Sequence, residues 1–324
     1  MKQLDTPLFT SVKEIILEAR QRVFRLVNSN LLETYWKIGQ LIVEDEQEGK
    51  PRADYGKNVL KNLAQQLTVE FGKGFDESNL RNMRQFYKAF PIRDTLRHEL
   101  SWSHYRQLCR LDSERKIQYY LTESIAGNWN SRTLQRQINA MAFERVLSHP
   151  SETNLPHTPQ NILKDPYIFE FLGLPTHTKN TEHSIETSIL DHIQQFLLEL
   201  GKGFAFVARQ QHMVTDSSDF YIDLVFYNYL IKCFVIIDLK TGMLTHQDIG
   251  QLDMYVRMYD DLKRGEGDNP TIGILLSAEK DETIVKYSVL AENNHLFAAK
   301  YLLYLPKEEE LKQLIDEDRA RFGK

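Results

Sequence analysis

The sequence has few residues that could form covalent cross-links and no long apolar segment. Only two of its 324 residues are cysteines, Cys109 and Cys233. Because neither belongs to a Cys-x-x-Cys pair, both a zinc site and a disulfide framework are disfavoured. There is no run of 18 apolar residues, and the N-terminal Met-Lys-Gln-Leu-Asp-Thr-Pro lacks the apolar core of a signal peptide. From these absences we expect a cytoplasmic protein rather than a membrane or secreted one.

Charge is distributed unevenly along the chain. Residues 1–150 contain 23 Lys and Arg against 18 Asp and Glu, a net charge of +5, whereas the remainder has 17 basic and 27 acidic residues, a net charge of −10. The total of −5 does not by itself suggest a nucleic-acid partner, but the basic first half does. The alternative is that a charge of +5 over 150 residues is ordinary for a folded domain.

The two halves also differ in their predicted secondary structure. Residues 8–150 show apolar spacings typical of helices, and the proline-containing segment Ser148–Pro159 predicts a linker. We expect a helical domain over residues 1–150, a linker over 151–160, and over 161–324 an α+β domain with helices on the faces of a mixed sheet. The predicted strands are Phe204–Val214, Tyr221–Tyr227, Cys233–Lys240, Thr271–Ser277 and Leu296–Leu305, and the predicted helices are Glu182–Leu200, His246–Asp260, Thr283–Glu292 and the segment from Lys307 onward.

Two of the predicted strands carry charged residues inside apolar runs, Asp223 in the first and Asp238 with Lys240 in the second. If the runs form a hairpin that turns near Tyr229–Lys232, cross-strand partners have numbers that sum to 461, and Asp223 faces Asp238. Opposed residues have Cβ atoms roughly 5 Å apart, so the two carboxylates repel each other unless a cation lies between them. The pattern favours a Mg²⁺ or Mn²⁺ site for phosphodiester hydrolysis, although the turn lacks an Asn-Gly signal.

Each charged residue of the hairpin has a predicted role. Asp223 and Asp238 would bind the metal together with the backbone carbonyl of Leu239. Lys240 would orient or deprotonate the attacking water, or stabilise the phosphoryl transition state. The alternative is a salt-bridge cluster on an exposed sheet face, which the apolar residues of the second run argue against.

Residues on the neighbouring helices could complete the site. Glu186, on the helix before the strands, is a candidate further acid or base. Gln251 and Tyr255 lie four residues apart on the following helix and share a face that could bind phosphate or position water. An ordinary solvated helix face is the alternative for all three. Further candidates for contacts with the scissile backbone are Arg209, Gln210 and His212.

One basic helix in the first domain is a candidate nucleic-acid contact. Within Asn79–Lys88 four polar side chains share one face, while Leu80, Met83 and Phe86 lie away from it. This pattern is typical of the recognition helix of a helix-turn-helix or winged-helix module; a surface helix with solvated arginines is the alternative. The residues predicted to contact nucleic acid are Arg81, Arg84, Gln85, Lys88, Arg106 and Arg132, together with Tyr255 of the second domain.

These motifs resemble a known family. Ile222-Asp223 and Asp238-Leu239-Lys240, with Glu186 before them and Gln251 after them, resemble the PD-(D/E)xK nuclease superfamily, and nearly the whole chain is similar to the bacterial YhcG family. The similarity implies a restriction-endonuclease-like αβββαβ core that hydrolyses nucleic acid with a divalent metal. Two positions depart from the usual motif: Ile222 replaces proline, and Asp238 stands where this family more often has glutamate. The segments that carry the family similarity include Tyr35-Trp-Lys-Ile-Gly39, Phe71-Gly-Lys-Gly-Phe75, Asn79-Leu-Arg-Asn-Met-Arg-Gln-Phe-Tyr87, Leu100-Ser-Trp-Ser-His-Tyr105, Lys164-Asp-Pro-Tyr167 and Leu200-Gly-Lys-Gly-Phe-Ala-Phe206.

Three functions are compatible with these residues. The first is a Mg²⁺-dependent (or Mn²⁺-dependent) DNA endonuclease, linked to restriction, defence or DNA repair. The second is a DNA- or partner-binding protein with an inactive nuclease fold, which the intact set of two aspartates and a lysine argues against. The third is an RNA-directed nuclease. Because cutting a duplex usually needs two sites, we also expect a homodimer or a larger homo-oligomer.

Overall fold

The structure, a computed structural model of the chain, describes residues 7–48, 53–92, 97, 99–145, 163–175, 180–214, 219–279, 284, 288, 290 and 293–322. The chain divides into two compact units, Met1–Arg136 and Gln137–Lys324. The predicted linker at 151–160 and most of the helix predicted at Thr283–Glu292 lie outside the described residues. No helix among the described residues is long and apolar enough to cross a membrane.

The described part of the first unit is helical, as predicted, and contains no strand that could form the wing of a winged helix. The side chain of Asp76 begins the third helix by accepting a hydrogen bond from the backbone N–H of Asn79. Gly39 allows the first and third helices to approach closely, since a Cβ at this position would lie 2.1 Å from the carbonyl oxygen of Met83. The helices are α1 (Pro7–Glu48), α2 (Ala53–Phe71), α3 (Glu77–Ala89), α4 (Trp102–Leu108), α5 (Glu114–Ala126) and α6 (Ser131–Asn139), which crosses into the second unit.

The second unit is a six-stranded mixed sheet with helices on both faces, in the order β1-β6-β5-β4-β3-β2. Strands β2, β3 and β4 are antiparallel to one another, and β4, β5, β6 and β1 are parallel. This arrangement confirms the expected α+β class and the αβββαβ order. Its elements are α7 (Ala142–Arg145), β1 (Tyr167–Ile168), α8 (Glu182–Asp191), α9 (Ile193–Leu200), β2 (Phe204–Val214), β3 (Asp219–Asn228), β4 (Cys233–Met243), α10 (His246–Leu262), β5 (Ile272–Glu279), β6 (Leu296–Leu302) and α11 (Glu308–Phe322).

Three details of this unit differ from the prediction. The helix predicted over Glu182–Leu200 is broken at His192, whose ψ of 32° is not helical. The helical spacing noted over residues 8–150 is also interrupted between α6 and α7, where Met141 has a φ of 49°. Strand β1 was not predicted, because two residues are too few to show a strand periodicity.

Two apolar clusters fix β3, β4 and β5 between the helices. On one face, residues such as Leu224, Ile237 and Leu239 pack with side chains of α8 and α9. On the other face, Val225 and Ile236 pack with side chains of α10. Strand β4 is therefore covered on both faces, as its nearly continuous apolar sequence predicts.

The β3–β4 hairpin is held in register by its turn. Leu224 pairs with Ile237 and Asn228 with Cys233, so the pairs sum to 461 as predicted. The side-chain oxygen of Asn228 accepts a hydrogen bond from the backbone N–H of Leu230 at 3.0 Å. Lys232 adopts the left-handed region with a φ of 48°. The local turn around the asparagine side chain takes the place of an Asn-Gly signal.

A buried ion pair ties α7 to the sheet of the second unit. Arg145 is 1% exposed and forms an ion pair with the fully buried Glu199 of α9. Arg145 Nη1 also donates to the carbonyl oxygen of Pro166 at 2.9 Å. Glu199 Oε1 in turn accepts from the backbone N–H of Ile168 in β1 at 3.0 Å. The pair thus anchors α7 and β1 to α9.

Replacing Arg145 by alanine should lower the free energy of unfolding by roughly 3–5 kcal/mol, because Glu199 would keep a buried charge without its partner. Arg264, whose Nη1 lies 3.6 Å from Asp260 near the end of α10, offers a solvated ion pair as the control. Arg264→Ala should cost less than about 1 kcal/mol. Urea unfolding followed by circular dichroism measures both. Equal small losses in the two variants would contradict an anchoring role for Arg145.

Candidate active site

Asp238 and Lys240 form the centre of the candidate site and lie two residues apart near the middle of β4. Asp238 is 2% exposed, and its Oδ2 lies 2.8 Å from Lys240 Nζ. The contact shows that the two side chains project from the same face of the strand, while Leu239 packs into the core of the opposite face. Lys240 Nζ also lies 3.9 Å from Asp248 of α10. The structure therefore places a lysine between a buried and a partly exposed carboxylate.

The electrostatics of this pair are unusual for an aspartate and a lysine. Burial, together with the charge of Asp223, raises the pKa of Asp238 to about 7, and Lys240 only partly opposes the rise. Burial alone would lower the pKa of Lys240, but Asp238 and other nearby carboxylates raise it on balance. Lys240 thus stays protonated at neutral pH, whereas Asp238 is poised between its two forms.

Asp223 lies at the position opposite Asp238, one residue beyond the last paired residues of the hairpin. Its two carboxylate oxygens are held separately. The backbone N–H of Leu239 donates to Oδ2 at 2.9 Å, and the side-chain amide of Gln210 donates to Oδ1 at 3.2 Å. The hairpin thus brings the two acids together and fixes the orientation of Asp223 from two sides.

Gln210 connects Asp223 to the helix glutamate. Its amide nitrogen also donates to Glu186 Oε2 at 2.7 Å, and Glu186 is 3% exposed. Gln210 has a φ of 44° on the edge strand β2, which shifts register between Phe206 and Ala208. Gln210, a predicted contact for the scissile backbone, thus bridges these two acids. Glu186 is correspondingly placed beside Asp223, as a buried acid rather than a solvated one.

Gln251 and Tyr255 share one face of α10, as predicted, but they contact each other. The amide of Gln251 donates to the hydroxyl of Tyr255, which donates to the carbonyl oxygen of Tyr221 at 3.2 Å. Tyr255 is 1% exposed, and burial raises its pKa. The expectation that Tyr255 touches nucleic acid is therefore corrected. Its ring is buried in the apolar cluster beneath α10, and its hydroxyl holds Gln251 and the backbone of β3.

Glu182 and Asp248 were missed by the sequence reasoning. Glu182 Oε1 accepts a hydrogen bond from the backbone N–H of Thr241 at 3.3 Å, and its charge contributes to the raised pKa values of Asp238 and Lys240. The sequence did contain a sign of this role: Glu182 lies four residues before Glu186, so both side chains share one face of the helix. Asp248 accepts from the backbone N–H of Thr245 at 2.8 Å in the capping box of α10, a pattern that the sequence Thr-x-x-Asp does contain.

The remaining candidates on β2 lie apart from the acids. His212 Nε2 lies 2.7 Å from Asp219 Oδ1, and its ring stacks on that of Tyr221. Arg209 is exposed on the same strand. Of the three residues considered on β2, only Gln210 has a hydrogen bond to the acid pair.

The basic face of α3 is exposed but largely neutralised. Arg81 forms an ion pair with Glu77 one turn earlier. Arg84 Nη1 lies 2.6 Å from Glu46 of α1, and Lys88 Nζ lies 3.9 Å from the same carboxylate. This pairing weakens the positive potential that a recognition helix needs. Among the other predicted contacts, Gln85 donates to the carbonyl oxygen of Cys109 at 2.5 Å, and Arg106 and Arg132 are exposed.

The donor atoms of the site suit a hard divalent cation. Two carboxylates and a backbone carbonyl provide oxygen ligands, and Mg²⁺ typically binds one or two carboxylates while it keeps several waters. A cation between Asp223 and Asp238 would also relieve the repulsion that raises the pKa of Asp238. Among the described residues, no group of three or more His, Cys, Asp or Glu side chains is arranged to hold a metal. The residues therefore fit a divalent cation that keeps several of its waters rather than an all-protein cage.

Comparisons with known proteins match both parts of the chain to protein families. Residues 160–316 match the family described as the YhcG PDDEXK nuclease domain, and residues 11–145 match the DUF1016 N-terminal domain. An Escherichia coli (strain K12) protein named "Putative nuclease YhcG" is 33% identical over 340 aligned positions, which cover 92% of this chain and 90% of that protein. The chain belongs to the YhcG family of PD-(D/E)xK nucleases.

Some solved structures also align with part of this chain. A repair endonuclease from Pyrococcus abyssi aligns over 41% of this chain and 50% of its own, with 17% identity and a TM-score of 0.28. An EndoMS–double-stranded DNA complex aligns over 42% of this chain and 49% of that chain, with the same identity and TM-score. Family membership therefore rests on the sequence matches, and they confirm the resemblance noted from the motifs.

The family match gives the observed geometry a chemical context. PD-(D/E)xK nucleases generally use divalent metal ions, and the acid pair of this YhcG-family chain offers the oxygen ligands that such ions prefer. Ile222, in place of the usual proline, is fully buried with the α10 cluster, so the substitution keeps an apolar core position directly before Asp223.

In the metal-free protein, the free energy of unfolding of the Asp238→Asn variant should rise relative to that of the wild type as pH rises. The pKa of Asp238 moves from 3.8 to about 7 on folding, so between these values the folded state holds a proton that the unfolded state releases. The wild type therefore loses free energy of unfolding relative to the variant from about pH 4 to about pH 7, and the difference is constant above that. Thermal unfolding in EDTA across this range measures it.

The exposed carboxyl of Asp261, also on α10, provides the control for this experiment. Asp261→Asn should show no comparable divergence from the wild type with pH. A difference between wild type and Asp238→Asn that stays flat across the same range would contradict the burial of a titrating acid at position 238.

Proposed function

We propose that this chain is a divalent-metal-dependent endonuclease that hydrolyses DNA phosphodiester bonds. The observation that carries the proposal is the pair of opposed acids, the half-buried Asp223 and the buried Asp238, with Lys240 Nζ 2.8 Å from Asp238. Such a set supplies two anionic metal ligands and one cation within a single hairpin. A bound Mg²⁺ or Mn²⁺ would supply Lewis-acid activation of the phosphate and of the attacking water.

The protein's own residues would divide the work as follows. Asp223 and Asp238 hold the metal, with the Leu239 carbonyl as a further ligand. Gln210 and the Leu239 N–H fix the carboxylate of Asp223. Lys240 acts as a cation that stabilises negative charge on the phosphoryl group, because its raised pKa disfavours a role as a base.

DNA is the proposed substrate, and a role in restriction, defence or repair is proposed with it. The support is the nuclease family itself together with the basic balance of residues 1–150. The test compares supercoiled, linear and branched DNA with RNA of matched sequence, in Mg²⁺, Mn²⁺ and EDTA. Cleavage of DNA with either metal and none in EDTA is the expected result. Preferential cleavage of RNA, or cleavage in EDTA, would overturn the proposal.

Lys240→Ala should reduce DNA cleavage by at least about 100-fold while the fold and most DNA binding remain, because it removes a transition-state cation. Lys232, an exposed lysine in the turn of the same hairpin, is the matched control, and Lys232→Ala should cleave at the wild-type rate. Single-turnover cleavage with saturating metal measures both. Full activity in Lys240→Ala would refute the assigned role.

The α3 face makes a separate prediction about DNA binding. If Arg84 and Lys88 contact phosphates, Glu46→Gln should strengthen binding and steepen its salt dependence, because both cations lose their acidic partner. Conversely, Arg81→Ala with Arg84→Ala should weaken binding and reduce the slope by roughly two charges. Fluorescence anisotropy over a salt series measures these slopes.

Glu44→Gln removes the same charge from the same helix and serves as the control. Glu44 is exposed and accepts a hydrogen bond from Gln40 at 2.8 Å, so its loss does not release the α3 cations. Equal effects of Glu44→Gln and Glu46→Gln would mean that only overall charge matters, and the DNA contact would then lie elsewhere.

A further inference from the structure

The first helix, α1, has two halves with opposite surroundings. Over its second half, Leu32, Ile42 and Val43 are buried within the first unit. Over residues 8–27, by contrast, every residue whose surroundings the structure describes is exposed. This exposed half extends for about 30 Å at 1.5 Å per residue.

The exposed half carries many large apolar side chains. Their exposed fractions range from 45% for Val12 to 74% for Leu8. In proteins most of the stability of a helix comes from packing of its apolar side chains, whereas the apolar side chains of this half of α1 are left exposed. A contiguous apolar stripe of this kind marks an interaction surface. The members on or beside the stripe are Leu8, Val12, Ile15, Ile16, Val23, Leu26 and Val27.

The apolar side chains follow a seven-residue repeat. Ile16, Val23 and Asn30 fall at the first position, and Val12, Ala19 and Leu26 fall at the fourth, so the spacing alternates between four and three residues. We call these six residues the seam. A seam of this period winds into a left-handed coiled coil with a helix of the same kind. Phe9 continues the spacing toward the N-terminus.

We propose that the N-terminal half of α1 pairs with the same segment of a second copy of this chain as a parallel, two-stranded coiled coil. β-Branched residues at the first position with leucine at the fourth favour two parallel strands, as Ile16, Val23 and Leu26 provide. Asn30 supplies the single polar residue at a first position that fixes register and a dimeric state. It is exposed in the protomer.

The charges beside the seam distinguish the parallel from the antiparallel arrangement. In a parallel pair, Arg20 lies against Ile15 of the second copy, and Arg22 against Val27, so apolar side chains meet the stems of the arginines. An antiparallel pair in register would instead bring Lys13 close to Arg20 of the second copy, a repulsive contact. The sequence of the stripe is therefore self-compatible in the parallel orientation.

The area of the stripe is sufficient for a stable dimer. From the exposed fractions of its members, each chain would contribute on the order of 800 Å² of apolar surface, which is about what one partner contributes to a specific interface. The inference does not depend on the proposed nuclease activity, because assembly is measured without substrate.

The test is the solution mass of the full chain by light scattering at micromolar concentration. We expect twice the chain mass of 38.0 kDa for the wild type. Ile16→Asp with Val23→Asp should be monomeric, because it places four charges in the seam of a dimer. Leu17→Asp is the matched control: Leu17 is 47% exposed, against 46% for its neighbour Ile16, but lies off the seam. It should remain dimeric.

Two further readouts secure the result. Both substituted seam positions are exposed in the protomer, so the double variant should keep the unfolding transition of the rest of the chain and lose only the helicity of the free segment. Val23→Cys should cross-link two chains under mild oxidation by diamide, since first-position residues of a parallel pair face each other, and the native Cys109 and Cys233 are buried. A monomeric wild type, a dimer that survives the double substitution, or a dimer in which Val23→Cys fails to cross-link would each overturn the proposal.

Discussion

The candidate site depends on one costly placement: the carboxyl of Asp238 on a strand that is covered on both faces. A buried carboxylate is unfavourable unless it is paired or binds a metal, and here a second acid lies opposite it. The surrounding structure compensates only in part, because Lys240 contacts Asp238 while Asp223 and Glu182 oppose its ionisation. The site is thus left with an excess of negative charge that a divalent cation would balance, and this electrostatic imbalance is the physical basis of the proposed chemistry.

The apolar clusters stabilise the fold enough to hold these like charges close together. Residues of β4 that flank Asp238, such as Ile236, Ile237 and Leu239, are fully buried in two separate cores, and β4 pairs with both β3 and β5. Strand register therefore cannot slip without moving every one of these side chains to the wrong face. The two acids are consequently held at opposed positions by packing energy that does not involve them, and the repulsion between them is tolerated rather than relaxed.

The sequence was sufficient for features that depend on local periodicity. Two apolar runs separated by a short turn predicted the hairpin, its register and the placement of Asp223 opposite Asp238. Features that depend on distant contacts were not predictable: Gln210 is 13 residues from Asp223 and 24 from Glu186, and its bridging role follows from a left-handed backbone conformation on an edge strand. The same holds for Arg145, which reads as an ordinary helix arginine until its pairing with Glu199 across 54 residues is known. Tyr255 was misjudged because a polar tip on a helix face gave no sign that the ring is buried.

The first unit presents two surfaces whose energetics differ. The ion pairs that cover the basic face of α3 are solvated and each is worth no more than about 1 kcal/mol, so phosphates of a nucleic acid could displace Glu46 from Arg84 at little cost. The apolar stripe of α1 is different in scale, since burying apolar surface contributes roughly 25 cal/mol per Å² and the stripe extends over five helical turns. Binding at α3 can therefore be reversible and sensitive to salt, whereas a contact through α1 would be largely insensitive to salt. At high salt the chains would then remain associated through α1 while nucleic acid dissociates from α3.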